Sequence, residues 1–224
     1  MDIHEAIQRR RATRRYTDRV VPKAAVMDII RAATQAPSAL NQQPWAFGVF
    51  HGRALLEDFS RRAKAHLVAT LVPSFDPNPR SQVYTEKDYS IVHHAGTLVI
   101  LFARLGPAST TEECGLAAQN LMLAAHGLGL ATCPIGFMRP WLNLPEIKVE
   151  LGVPEECTAV FPIVVGYAAE TPPDVPRREP EFVAWKWVEE SSGSRPPYES
   201  LGPANDDARR SVATIGAIHA GVGG

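Results

Sequence analysis

The sequence predicts a mixed α/β or α+β domain built on a four- or five-stranded sheet. Helical and strand-like patterns alternate along the chain, as they do when helices pack on a sheet. Its 224 residues, 45% hydrophobic and 21% charged, suffice to enclose a full core and exclude a fibrous repeat or a disulfide-stapled mini-domain. No internal repeat is visible.

Each element has a local reason. Ile3, Ala6 and Ile7 give residues 2–11 a helical apolar stripe, and the arginines at its C-terminal end suit the helix dipole. Pro22 opens a second helix with Val26, Ile29, Ile30 and Ala33 on one face; Ala36-Pro37-Ser38 closes it, since a residue before proline leaves the α region. Trp45–His51 is rich in aromatic and branched residues and reads as a strand. Helical spacing resumes over 54–70, and the proline-rich stretch 71–86 reads as a surface loop and lid. Thr97–Ala103 is a second, central strand, and Thr110 with Glu113 offers a capping box for a long helix ending at Gly127 and Gly129. Residues 130–134 and 160–167 supply two further strands, with a helix over 144–151 between them. From residue 189 the composition turns to Ser, Gly and Pro. The expected organisation is therefore a folded domain over 1–188 and an extended arm or tail over 189–224.

Charge and cysteine usage narrow the function. Lys and Arg number 23 against 24 for Asp and Glu, a net charge of −1 that gives no reason to expect nucleic acid or an anionic membrane as partner. Cys114, Cys133 and Cys157 form no C-x-x-C pair, so no disulfide framework or structural zinc is expected and the cytoplasm is the expected compartment. No segment reads as a signal peptide or a membrane span. His93-His94 lack the spacing and neighbours of a metal site.

Four motifs carry candidate chemistry. Five arginines lie within residues 9–15 of an otherwise neutral chain; guanidinium groups grip phosphate in pairs, although a solvated basic helix end has the same composition. The loop Ala36–Trp45 (APSALNQQPW) offers hydroxyl and amide groups between prolines, which suits a neutral heterocycle and also suits a plain turn. Gly127–Phe137 contains only G-x-G after a helix and before a strand, the reverse of a dinucleotide fingerprint, while Gly136 permits close backbone approach to a flat ligand. Gly166-Tyr167 is followed by the basic pair Arg177-Arg178 and Pro180.

In this order the four motifs resemble the nitroreductase family of FMN-dependent oxidoreductases, over about residues 1–185. The resemblance rests on Arg10, Arg11, Ala12, Thr13, Arg14 and Tyr16, the APS…QPW loop, Cys133-Pro134-Ile135-Gly136, and the Gly-Tyr and Arg178-x-Pro180 ending. It implies an α+β fold with a mostly antiparallel sheet and an intertwined homodimer whose FMN sites are built from both chains. Carried over by position, Arg10, Arg11 and Arg178, with Arg177 as helper, bind the phosphate and Ala12 adds backbone contacts. Arg14 faces the pyrimidine edge of the flavin. Pro37, Ser38, Ala39, Leu40 and Asn41 arrive from the other subunit. Pro134, Ile135 and Gly136 run past the ring and direct a backbone N–H at N5. Asp88 is the nearest polar candidate for a further ring-edge contact. The implied activity is hydride transfer from NADH or NADPH through flavin N5 to a nitroaromatic, quinone or activated alkene by a ping-pong route, with no catalytic side chain. A flavin-sequestering protein, or a dehalogenase, flavin-destructase or oxidase of the same fold, is the alternative; a basic nucleic-acid arm is a weaker one.

Overall fold

The computed structural model describes residues 2–70, 86, 88–104 and 110–187. Along these the chain forms α1 (Ile3–Arg9), α2 (Lys23–Ala33), β1 (Trp45–His51), α3 (Arg53–Thr70), β2 (Thr97–Arg104) and α4 (Thr110–Gly127). It continues through β3 (Ala131–Pro134), α5 (Arg139–Leu142), α6 (Pro145–Leu151) and β4 (Cys157–Gly166), with 3-10 turns at Ala39–Asn41 and Gly136–Met138. The turn and short helix over 136–142 are additions to the sequence reading; a single turn is too short to show a periodicity. Residues 71–85 of the expected lid and the tail from 189 lie outside the described residues. The chain divides into two compact units, Met1–Val175 and Pro176–Gly224, ahead of the 188/189 boundary read from composition. Among the described residues no helix is long and apolar enough to cross a membrane.

The four strands form one antiparallel sheet in the order β1-β2-β4-β3, so the fold is α+β. β2 is buried on both faces except at Arg104, which explains its unbroken apolar run. Side chains alternate across it. Leu98, Ile100 and Phe102 join the core under α3 and α5, whereas Val99, Leu101 and Ala103 join the core under α2 and α4. Each fully buried branched side chain contributes about 1.5–3 kcal/mol by leaving water. The central position of β2 therefore follows from the residues themselves.

What positions the site is an addition to the sheet's edge. β3 pairs with β4 on one side, and on its other side Ala12 bridges Thr132 in parallel, with Thr13 N–H donating to the Thr132 carbonyl at 3.0 Å. Tyr16 then bridges Ala168 antiparallel, and Thr17 N–H donates to the Tyr167 carbonyl at 2.9 Å. The Tyr16 ring lies on Gly166 so closely that a β-carbon there would stand 2.6 Å from its Cδ1. Its hydroxyl donates to the Thr13 carbonyl at 2.7 Å, and burial pushes the phenol pKa upward.

Gly166→Ala is expected to push Tyr16 off β4 and to cost about 1–3 kcal/mol through overpacking. An unchanged urea midpoint would show that the ring moves aside freely.

Candidate functional site

The segment from Arg10 to Arg14 leaves α1 and runs along β3, so its ends reach different places. At one end lies a cleft of about 730 Å³ lined by Arg9, Arg10, Arg11, His126, Thr132 and Asp174. At the other lies a slot of about 310 Å³ whose walls include Arg14, Tyr89, His93 and the run Cys133–Phe137. The pairing of Ala12 and Thr13 with Thr132 fixes the distance between the two.

The cleft is lined by basic groups. Arg11 donates from Nη2 to Asp174 Oδ1 at 3.0 Å and from Nη1 to the Gln8 and Arg10 carbonyls, so its guanidinium is held on several sides. Among the described residues its Nε is buried without a partner, as is His126 Nε2 on the same wall. Burial first, then the charge of Arg10, holds the His126 pKa below the usual histidine value. Guanidinium groups gathered in this way can grip a phosphate-sized anion in pairs.

The slot is smaller and more apolar. Cys133 is buried, with its thiol pKa pushed up by burial against an opposing pull from Arg14 and Arg10, and its S–H lies 3.7 Å from the Pro134 carbonyl. It packs, as an apolar strand residue should. Ile135 N–H is committed to the Pro162 carbonyl at 2.8 Å, whereas Gly136 opens the following turn. Asp88 does not line the slot; it borders a separate groove against α3, and the polar residues of its segment that reach the slot are Tyr89 and His93. Further along the same segment, His93 and His94 both adopt left-handed backbone, with φ 52° and 58°.

Pro37, Ser38, Ala39, Leu40 and Asn41 line neither the cleft nor the slot of this chain. They form a strained loop in which Leu40, Asn41 and Gln43 take φ of 50°, 55° and 48°. Leu40 is 86% exposed at its tip. Side-chain acceptors hold the loop at two points. Ser38 Oγ accepts from Gln43 N–H at 2.9 Å, and Ala39 N–H donates to Glu113 Oε1 at 2.7 Å. Glu113, assigned to helix capping by the sequence, is thus a buried carboxylate that anchors a loop far away in the chain. With burial it also pushes the Cys114 thiol up to about 11. Arg177 and Arg178 belong to the second unit, where both are exposed.

His126 lines the cleft and Tyr89 the slot without any sequence pattern that marks them, whereas Glu113 reads in the sequence only as a helix cap and His93 only against a metal site; each is brought in by tertiary contact.

The chain was compared with known proteins. The family model described as Nitroreductase family matches residues 7–167. Chloronitrobenzene nitroreductase of Comamonas testosteroni is 28% identical over 198 residues, covering 74% of this chain and 86% of that protein. NADH dehydrogenase of Thermus thermophilus is 29% identical over 196 residues, covering 76% and 88%. A nitroreductase of Bacteroides fragilis solved with bound FMN superposes with a TM-score of 0.69 at 25% identity, covering 84% of this chain and all of that one.

Removing the loop's anchor should be measurable. Glu113→Ala is expected to cost about 1–2 kcal/mol and to speed amide exchange at residues 39–43, while Glu113→Gln, which keeps an acceptor, restores most of both. Equal exchange in all three proteins would refute the anchor.

Proposed function

Because this chain belongs to the nitroreductase family, we propose that it is an FMN-dependent oxidoreductase that uses NADH or NADPH to reduce a planar electrophile by ping-pong turnover. The acceptor is a nitroaromatic, a quinone or an activated alkene. One observation carries the reading: a single hydrogen-bonded segment, residues 10–14, has at one end a basic cleft with buried nitrogens that find no partner among the described residues, and at the other a smaller, more apolar slot. That spacing of anion grip and ring slot suits a flavin mononucleotide. FMN, when bound, supplies the hydride relay between the nicotinamide and the acceptor.

The chain's own residues bind, orient and tune. Arg10 and Arg11 hold the phosphate in the cleft, and Ala12 contributes its backbone. Arg14 lies at the pyrimidine edge, where its fixed charge favours electron uptake by the ring. Pro134, Ile135 and Gly136 form the wall beside the ring. Since Ile135 N–H is already bonded, Gly136 N–H is the donor directed at the ring.

The working unit in this reading is a homodimer. Ile3 and Ile7 on α1 are 59% and 54% exposed, and Leu116 on neighbouring α4 is 49% exposed, apolar side chains of the kind a second copy would cover. Pro37–Asn41, which line neither pocket of their own chain, then serve the partner's ring slot.

Protein purified under air should be yellow and should bleach anaerobically on addition of NADH or NADPH; yellow protein that neither donor bleaches would support flavin sequestering instead. Replacing Arg10 and Arg11 with Ala should weaken FMN binding by about tenfold or more while leaving riboflavin, which lacks the phosphate, unaffected. Equal losses for both flavins would sink the phosphate assignment. Ile7→Glu should convert a dimer to a monomer by light scattering and lower FMN occupancy with it.

A further inference from the structure

The slot holds a side chain for which the flavin reading has no use. His93 lines it alongside Arg14 and Cys133–Phe137, and its ring nitrogens have no protein partner among the described residues. The other polar groups there are engaged: the Cys133 thiol lies against the Pro134 carbonyl, and Arg14 is assigned to the ring edge. Tyr89 packs edge-on against His93, with centroids 6.0 Å apart and planes at 82°, and so fixes the imidazole's tilt.

The backbone that presents His93 is strained and deliberately held. Two successive non-glycine residues in left-handed conformation persist only where surrounding structure over-determines them. Here α3 does so. Ser90 Oγ donates to Glu57 Oε2 at 2.9 Å, Ile91 N–H donates to Ser60 Oγ at 2.8 Å, and His94 Nδ1 lies 2.8 Å from Glu57 Oε1. His93 N–H closes the turn onto the Ser90 carbonyl at 3.0 Å. A turn pinned at three points aims one imidazole into the slot.

We propose that His93 is a substrate-contacting residue, its imidazole N–H donating a hydrogen bond to the nitro or carbonyl oxygen of a planar acceptor seated in the slot. The inference rests on the proposed flavin reading and adds to it the group that recognises the acceptor's oxygen. Burial, the Arg14 guanidinium and neighbouring His94 push the His93 pKa down to about 4. The charged or titratable groups around it are Arg14, His94, Tyr89 and Cys133, with Glu57 behind His94, so at neutral pH the ring is uncharged and acts as a neutral donor. A neutral imidazole polarises an oxygen without adding a second cation beside Arg14.

The test uses the full chain loaded with FMN, with nitrobenzene as probe and toluene as its counterpart lacking the oxygens, each titrated against the oxidised protein by the change in flavin absorbance. His93→Leu should weaken nitrobenzene binding by about three- to tenfold and leave toluene binding alike, while His93→Gln, which keeps an N–H, stays within about twofold of wild type. Nitrobenzene affinity of the wild type should be flat between about pH 5.5 and 8, because a histidine with an ordinary pKa would show a break near 6.5. If His93→Leu does not fold, the imidazole ¹⁵N signals of wild-type His93 decide the matter, and they should shift on adding nitrobenzene. Equal nitrobenzene affinities, an affinity that rises on acidification through about pH 6.5, or unmoved ¹⁵N signals overturn the role of His93 while the flavin reading stands. Protein that takes up no FMN even on reconstitution overturns both.

Discussion

The whole arrangement depends on an edge strand that is paired on both sides. β3 is four residues long, yet it is hydrogen-bonded to β4 and also carries the incoming segment at Ala12 and Thr13. An unpaired strand edge offers donors and acceptors in a fixed line. Here that line is used to straighten a chain of arginines and hold them in register with the sheet. Without it the basic cluster would be the solvated helix end that composition alone allows. Tyr16 closes the register by lying on Gly166, a position where even one methyl group leaves no room for the ring.

Electrostatics then sets what the register can hold. Several guanidinium groups converge on one cleft with Asp174 as counter-charge to Arg11, and among the described residues two buried nitrogens there have no partner. In the proposed reading an anion adds a further counter-charge to that cluster. Exposed ion pairs elsewhere, such as Arg15–Glu170 at 3.2 Å or Arg31–Asp28 at 3.0 Å, contribute little to stability by comparison.

Two carboxylates perform a matching task at a distance. Glu113 at the start of α4 holds the loop 38–43, and Glu57 on α3 holds the turn 90–94; each segment contains left-handed residues that are not glycine. Strain of this kind costs on the order of 1–3 kcal/mol per residue and survives only with such support. The flavin reading places the loop at the partner's ring, and the turn presents His93 to the chain's own slot.

The strands, the long helices and the burial of β2 were legible in the sequence, because apolar periodicity and the punctuation of Pro and Gly act locally. Arg10, Arg11, Arg14 and Pro134–Gly136 lie in contiguous motifs, and the fold sets Arg10 and Arg11 along the cleft and the others along the slot. The helical turn at 136–142 was hidden by its length, and Asp88, the nearest polar candidate in the sequence, borders a separate groove while Tyr89 and His93 line the slot. Sequence alone determined which segments are buried and which residue types gather at each motif. Tertiary structure decided that His126 faces the same cleft as Arg11, that Glu113 reaches Ala39, and that His93 enters the slot. Those contacts join residues distant in sequence, and their energies depend on where folding leaves each backbone.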